Sequence, residues 1–138
     1  MPVKKSVKNP PKTIRQTVSF KAPAHAIYDA LMDSQKHARF TGAPAKIGRE
    51  VGGSFSAHGG YIQGENLELV PDKKIVQTWR AAEWKAGEES TVTYALETTE
   101  NGTRLNFTHR NVPGRHAESV KLGWKTYYWA PLKKMLKE

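Results

Sequence analysis

The 138-residue sequence predicts a single α+β domain in which a curved antiparallel sheet of about six to seven strands wraps around one long C-terminal helix. Three observations predict it. Between Ala117 and Lys137, helical spacing brings Val120, Trp124, Tyr127, Tyr128, Pro131 and Met135 within about a quarter of the circumference, an aromatic stripe that has to be buried. Upstream of it the chain is mainly short alternating runs punctuated by glycine, proline and Asn-Gly, the pattern of half-buried strands. The length leaves room for one core only.

Residues 1–12 hold four lysines and three prolines without periodicity, and are expected to form a disordered tail ahead of a domain covering 13–138. From Thr13 to Lys21, Ile14, Val18 and Phe20 form the inward face of a first strand. Pro23 then opens a helix with Ile27, Ala30 and Leu31 on its apolar side. Asp33 or Ser34 caps a second short helix that ends near Phe40, with Gly42 just past it. Strands follow at Ala45 to Arg49, Ser54 to His58 and Tyr61 to Val70, the last with Tyr61, Glu65, Leu67 and Leu69 on one face. The Val70-Pro71-Asp72-Lys73 stretch suits a type I turn into a strand from Lys74 to Ala81. After a loop holding Trp84 and Gly87, Ser90 to Thr98 and Thr103 to His109 pair through a type I′ turn at Asn101-Gly102. In the final helix Pro131 removes a backbone donor and is expected to bend it.

Composition narrows the function classes. The chain has no cysteine, which excludes disulfides, thiolate catalysis and cysteine-ligated zinc. No apolar run approaches the roughly 18 residues of a membrane span, and the N-terminus lacks the apolar core of a signal peptide, so a cytoplasmic location is expected. The net charge of +9 divides into +4 over residues 1–12, −1 over 13–103 and +6 over 104–138. With the sheet nearly neutral and no element that interleaves basic and aromatic residues, this distribution argues against a nucleic-acid partner.

Few residues offer chemistry. His109 shares its face with Leu105 and Phe107, which puts an imidazole on the apolar side, either as an acid, base or ligand contact or as a hydrogen-bonded core residue. Trp79 points inward with Ile75, as a pocket wall or a packed core residue, while Arg80 points outward to cross-strand pairs or an acidic partner. Glu65 faces the same way as Leu67 in this reading. His25, His37, His58 and His116 show no metal-ligand spacing, and the nucleophile-elbow and phosphate-loop patterns are missing. No catalytic residue, metal or cofactor is therefore assigned.

The element order, together with the stretches TGAPAKI, VGGSFS, GENLELVPDKKIVQTWR, GTRLNFTH and GWKTYY, resembles the activator of heat-shock-protein-90 ATPase homologue family of the START-like (SRPBCC) superfamily. The resemblance covers residues 13–137. It implies the helix-grip fold, often with an apolar cavity between sheet and helix. On that basis the leading expectation is a non-enzymatic domain that binds a small hydrophobic or amphipathic molecule. The sheet would contribute Phe20, Phe55, Leu67 and Leu69, with Trp79, Tyr94, Phe107 and His109 further along it. Trp124, Tyr127 and Tyr128 would complete the lining from the helix. The alternatives are a cochaperone that meets the heat-shock protein 90 chaperone through its outer surface, and a cyclase- or hydratase-type enzyme using His109.

Overall fold

A computed structural model describes residues 10–137. Most of the tail expected over residues 1–12 lies outside the described residues, and the first strand begins at Lys12. The chain runs β1 (Lys12–Phe20), α1 (Ala24–Met32), α2 (Ser34–Thr41), β2 (Lys46–Ile47), β3 (Ser54–Ala57), β4 (Ile62–Val70), β5 (Lys74–Ala81), β6 (Ser90–Thr99) and β7 (Gly102–Val112). The C-terminal helix follows as α3 (Ala117–Gly123), a π-helical turn (Trp124–Trp129) and α4 (Ala130–Lys137). All seven strands pair antiparallel in the order β1-β7-β6-β5-β4-β3-β2. The connection holding α1 and α2 separates β1 from β2 at opposite edges of the sheet.

The short helices form where their ends are satisfied. Asp33 accepts the backbone N–H of Lys36 at 2.9 Å, and Gly42, at φ 79°, ends α2 in the left-handed conformation that glycine adopts freely. The core lies between the inner face of the sheet and the helices: Ile75, Val92, Leu105 and Phe107 meet Ile27 and Leu31 from α1 and Trp124 and Leu132 from the last helix. Among the described residues no helix is long and apolar enough to cross a membrane.

Three local expectations are corrected. In β4, Leu67 is an extra residue between the pairs Asn66↔Gln77 and Glu68↔Val76. This bulge changes the inward set: Ile62 and Asn66 are buried, Leu69 is half-buried after the bulge, and Tyr61, Glu65 and Leu67 face solvent. Unbroken alternation could not anticipate it. At the β4–β5 hairpin, Asp72 has φ 63°, whereas a type I turn needs a negative φ at its third position. At the β6–β7 hairpin the two loop residues are Glu100 and Asn101, because Gly102 already pairs with Thr99. Asn101 does not adopt the positive φ of a type I′ turn. Gly102 instead answers to packing, since a Cβ there would lie 2.0 Å from the Phe20 carbonyl oxygen.

The last helix departs from its predicted stripe for a related reason. Its π turn, marked by the Ala130 N–H donating to the Lys125 carbonyl, inserts one residue into the helical repeat immediately before Pro131. Residues beyond the turn are rotated relative to an unbroken helix. Trp124, Tyr128, Trp129 and Leu132 are buried, Pro131 and Met135 are half-buried, and Tyr127 is 58% exposed.

Candidate functional site

An apolar cavity of about 470 Å³ opens where the last helix leaves the ends of β4 and β5. Strand alternation aims Ile62, Trp79 and Ala81 at it from the sheet, where Ile62 and Ala81 are directly paired. The helix contributes Val120, Gly123 and Trp124, and the β5–β6 loop closes the side with Trp84. Trp79 lies 5.5 Å from Trp84 and 5.7 Å from Trp124 between ring centroids, so three indoles form a contiguous wall. Tyr61 and Tyr127, both exposed, stand at the mouth with Glu83. Gly123 is the one glycine in the lining. Mid-helix glycine costs roughly 1 kcal/mol relative to alanine, and a Cβ at Gly123 would meet only the Tyr127 ring at 3.8 Å. Its effect there is to leave the cavity wall bare of a side chain.

The loop is tied down by charge-assisted bonds. Arg80 donates to the carbonyls of Trp84 (2.7 Å), Lys85 (2.8 Å) and Glu88 (2.6 Å) instead of forming the expected cross-strand pairs. Arg115 grips Glu88 with both terminal nitrogens, at 2.8 and 2.5 Å. That fork holds the Glu88 carboxyl at about 2. The Tyr61 hydroxyl donates to Glu83 across the cavity mouth, and this bond keeps the Glu83 carboxyl below its usual range.

Beneath the cavity, His109 is fully buried with both ring nitrogens engaged. The Trp124 indole N–H donates to Nδ1 at 3.0 Å, which leaves Nε2 as the protonated nitrogen, donating to Ser90 Oγ at 2.7 Å. Ser90 in turn donates to the Trp79 carbonyl at 2.7 Å. Burial pushes the His109 imidazole down to about 3, so it stays neutral. With both nitrogens engaged, His109 ties the Trp124 indole to Ser90 and, through Ser90, to the Trp79 backbone.

A second buried histidine had no signal in the sequence. His37 Nδ1 donates to the Leu31 carbonyl at 3.0 Å and Nε2 accepts the Tyr128 hydroxyl at 2.8 Å, with burial holding this imidazole at about 4. The bond fastens α2 to the last helix and engages the Tyr128 hydroxyl. Asn66 and Gln77 make a third buried polar contact, at 3.0 Å, and Asn66 also donates to the carbonyls of Gly48 and Glu50.

Of the residues expected to line a pocket, Trp79, Trp124, Tyr127 and Tyr128 meet at the cavity. Phe20, Tyr94, Phe107 and His109 are buried away from it, within packed core. Phe55 is also buried, its ring lying across Gly64 on the neighbouring strand, and Leu69 is only half-buried. Leu67 is 48% exposed on the bulge, so the inward placement drawn from alternation is overturned. Sequence reasoning missed Trp84, which sits in a loop without periodicity, and Tyr61, assigned to the wrong role by the register error. Among the described residues no group of three or more histidine, aspartate or glutamate side chains is placed to hold a metal ion.

Residues 21–137 match the family model described as Activator of Hsp90 ATPase homolog 1-like protein. The chain is 31% identical over 127 residues to the human activator of 90 kDa heat shock protein ATPase homolog 1, covering 92% of this chain and 38% of that protein. It is 35% identical over 115 residues to the Dictyostelium discoideum homolog, covering 83% and 30% respectively. The chain therefore spans well under half the length of these curated relatives. A crystal structure of an HSP90 activator from Plasmodium falciparum superimposes with a TM-score of 0.86 at 30% identity, covering 91% of this chain and 96% of that one. The fold is thus the helix-grip architecture, and the chain belongs to the Activator of Hsp90 ATPase homolog 1-like family.

Proposed function

We propose that the domain binds the heat-shock protein 90 chaperone and modulates its ATPase. The observation that carries this is the likeness, across nearly the whole domain, to relatives named as activators of that ATPase, including one solved HSP90 activator of which 96% is matched. The concentration of basic charge in residues 104–138, +6 in all, suits an acidic chaperone surface. A cytoplasmic setting belongs to the same reading. The test is titration calorimetry of the chain into purified Hsp90, with ATP turnover measured in parallel. Binding that weakens steeply between about 50 and 300 mM salt, with a changed turnover rate, is expected. No binding at low salt and an unaltered turnover would refute it.

The cavity supports a second reading, a site for a small apolar or amphipathic molecule. Its volume lies in the range of ligand pockets, and three indoles line it with few polar groups. Gly123→Leu would place a side chain in the cavity. Loss of binding to a hydrophobic probe dye in this variant, with the thermal midpoint kept, is the expected result. Undiminished dye binding would place the dye elsewhere. The enzyme reading built on His109 is not favoured, because both of its nitrogens are committed within the core.

A further inference from the structure

The charge pattern of the cavity speaks to what it accepts. Among the described residues no lysine or arginine lines the cavity; its one carboxylate is Glu83 at the mouth, and its basic side chains are the histidines His58 and His116. Behind Glu83 stand Trp79, Trp84 and Trp124, with Tyr127 across the opening. Aromatic faces carry negative potential and attract cations, and a carboxylate beside them strengthens that attraction. Glu83 already accepts the Tyr61 hydroxyl, yet a carboxylate has about four lone-pair sites, so capacity for a further donor or cation remains.

We infer that the cavity selects organic cations: molecules with an ammonium group and an apolar body, the ammonium held at Glu83 and the body between the indoles and the aliphatic wall. This rests on the reading of the cavity as a small-molecule site and adds the sign of the ligand's charge. A fatty-acid carboxylate would face Glu83, and among the described residues the lining offers it only the histidines His58 and His116 and the Ser119 hydroxyl, with no lysine or arginine. Desolvating an unpaired carboxylate is costly, so the cavity discriminates against anionic amphiphiles. Glu83 is solvent-exposed and outside the core, so it can be changed without disturbing the fold.

The experiment uses the full chain and three probes with one shared body: phenylbutyl-trimethylammonium, phenylbutanol and phenylbutanoate. They are titrated at about pH 8, where ordinary histidines are neutral, with indole NMR signals as the readout. The ammonium is expected to bind about tenfold more tightly than the alcohol, and the carboxylate most weakly. Glu83→Gln should bring the ammonium close to the alcohol while leaving the alcohol unchanged. If the alcohol or the carboxylate binds as tightly as the ammonium, or if Glu83→Gln does not weaken the ammonium, selection for cations is overturned and the cavity reading stands. If no probe shifts an indole signal at its solubility limit, both fall.

Discussion

Lowering the pH from about 7.5 to about 5 is expected to remove roughly 4 kcal/mol of folding stability, through the two buried imidazoles. Burial holds His109 at about 3 and His37 at about 4 in the fold. In the unfolded chain both return to about 6.5. Below that value a proton binds the unfolded chain but not the folded one, so acid favours unfolding. Each histidine contributes about 1.36 kcal/mol per pH unit. At pH 5, about 1.5 units below the unfolded value, this gives about 2 kcal/mol per histidine, and His58, also lowered by burial, acts in the same direction. The carboxylates do not obscure this window. Glu88, held at about 2 by Arg115, contributes stability that is present above its unfolded value near 4.5 and is lost only as the pH falls below it. Urea unfolding followed by tryptophan fluorescence at half-unit pH steps measures the slope. A change of less than about 1 kcal/mol between pH 7 and 5 would refute the neutral, desolvated state assigned to both rings. The His37→Gln variant, which keeps a donor and an acceptor, should reduce the slope by about one proton.

Three further outcomes follow from particular contacts. Trp124→Phe deprives His109 Nδ1 of its 3.0 Å donor and should destabilise the domain by about 1–3 kcal/mol beyond the lost packing, read from the urea midpoint. Gly64→Ala would set a Cβ 1.9 Å from the Thr78 carbonyl oxygen and 2.6 Å from the Phe55 ring, and a loss of at least about 2 kcal/mol in thermal unfolding is expected. Leu67→Ala, on the exposed bulge, should change stability by no more than about 0.5 kcal/mol; a loss of about 2 kcal/mol would restore the inward placement that alternation suggested.

The fold was legible because its long elements keep their period. β6 alternates without interruption from Ser90 to Leu96, and α2 announces both ends through Asp33 and Gly42. What escaped were single-residue irregularities, the bulge at Leu67 and the π turn at Trp124–Trp129, because each is a choice of backbone path with no residue-type signature of its own. They carried misplacements with them: Tyr61 moved from the inner face to the cavity mouth, and Trp129 into the core. His37 could not be read from sequence because its partners are the Leu31 carbonyl in the preceding helix and Tyr128, 91 residues away, brought to it only by tertiary packing. Nor could the division of the aromatics into filled core and open cavity be read. That division depends on how volumes add in three dimensions.

The π turn also bears on how this chain is to be aligned with its relatives. It acts as a one-residue insertion that leaves no gap in the sequence, so the helix before Trp124 and the helix after Trp129 obey two different phase angles, offset by about 100°. Equivalences carried across the turn by helical period alone will pair exposed positions with buried ones. An alignment of α4 should be anchored instead on Leu132, which is fully buried, and worked outward from there.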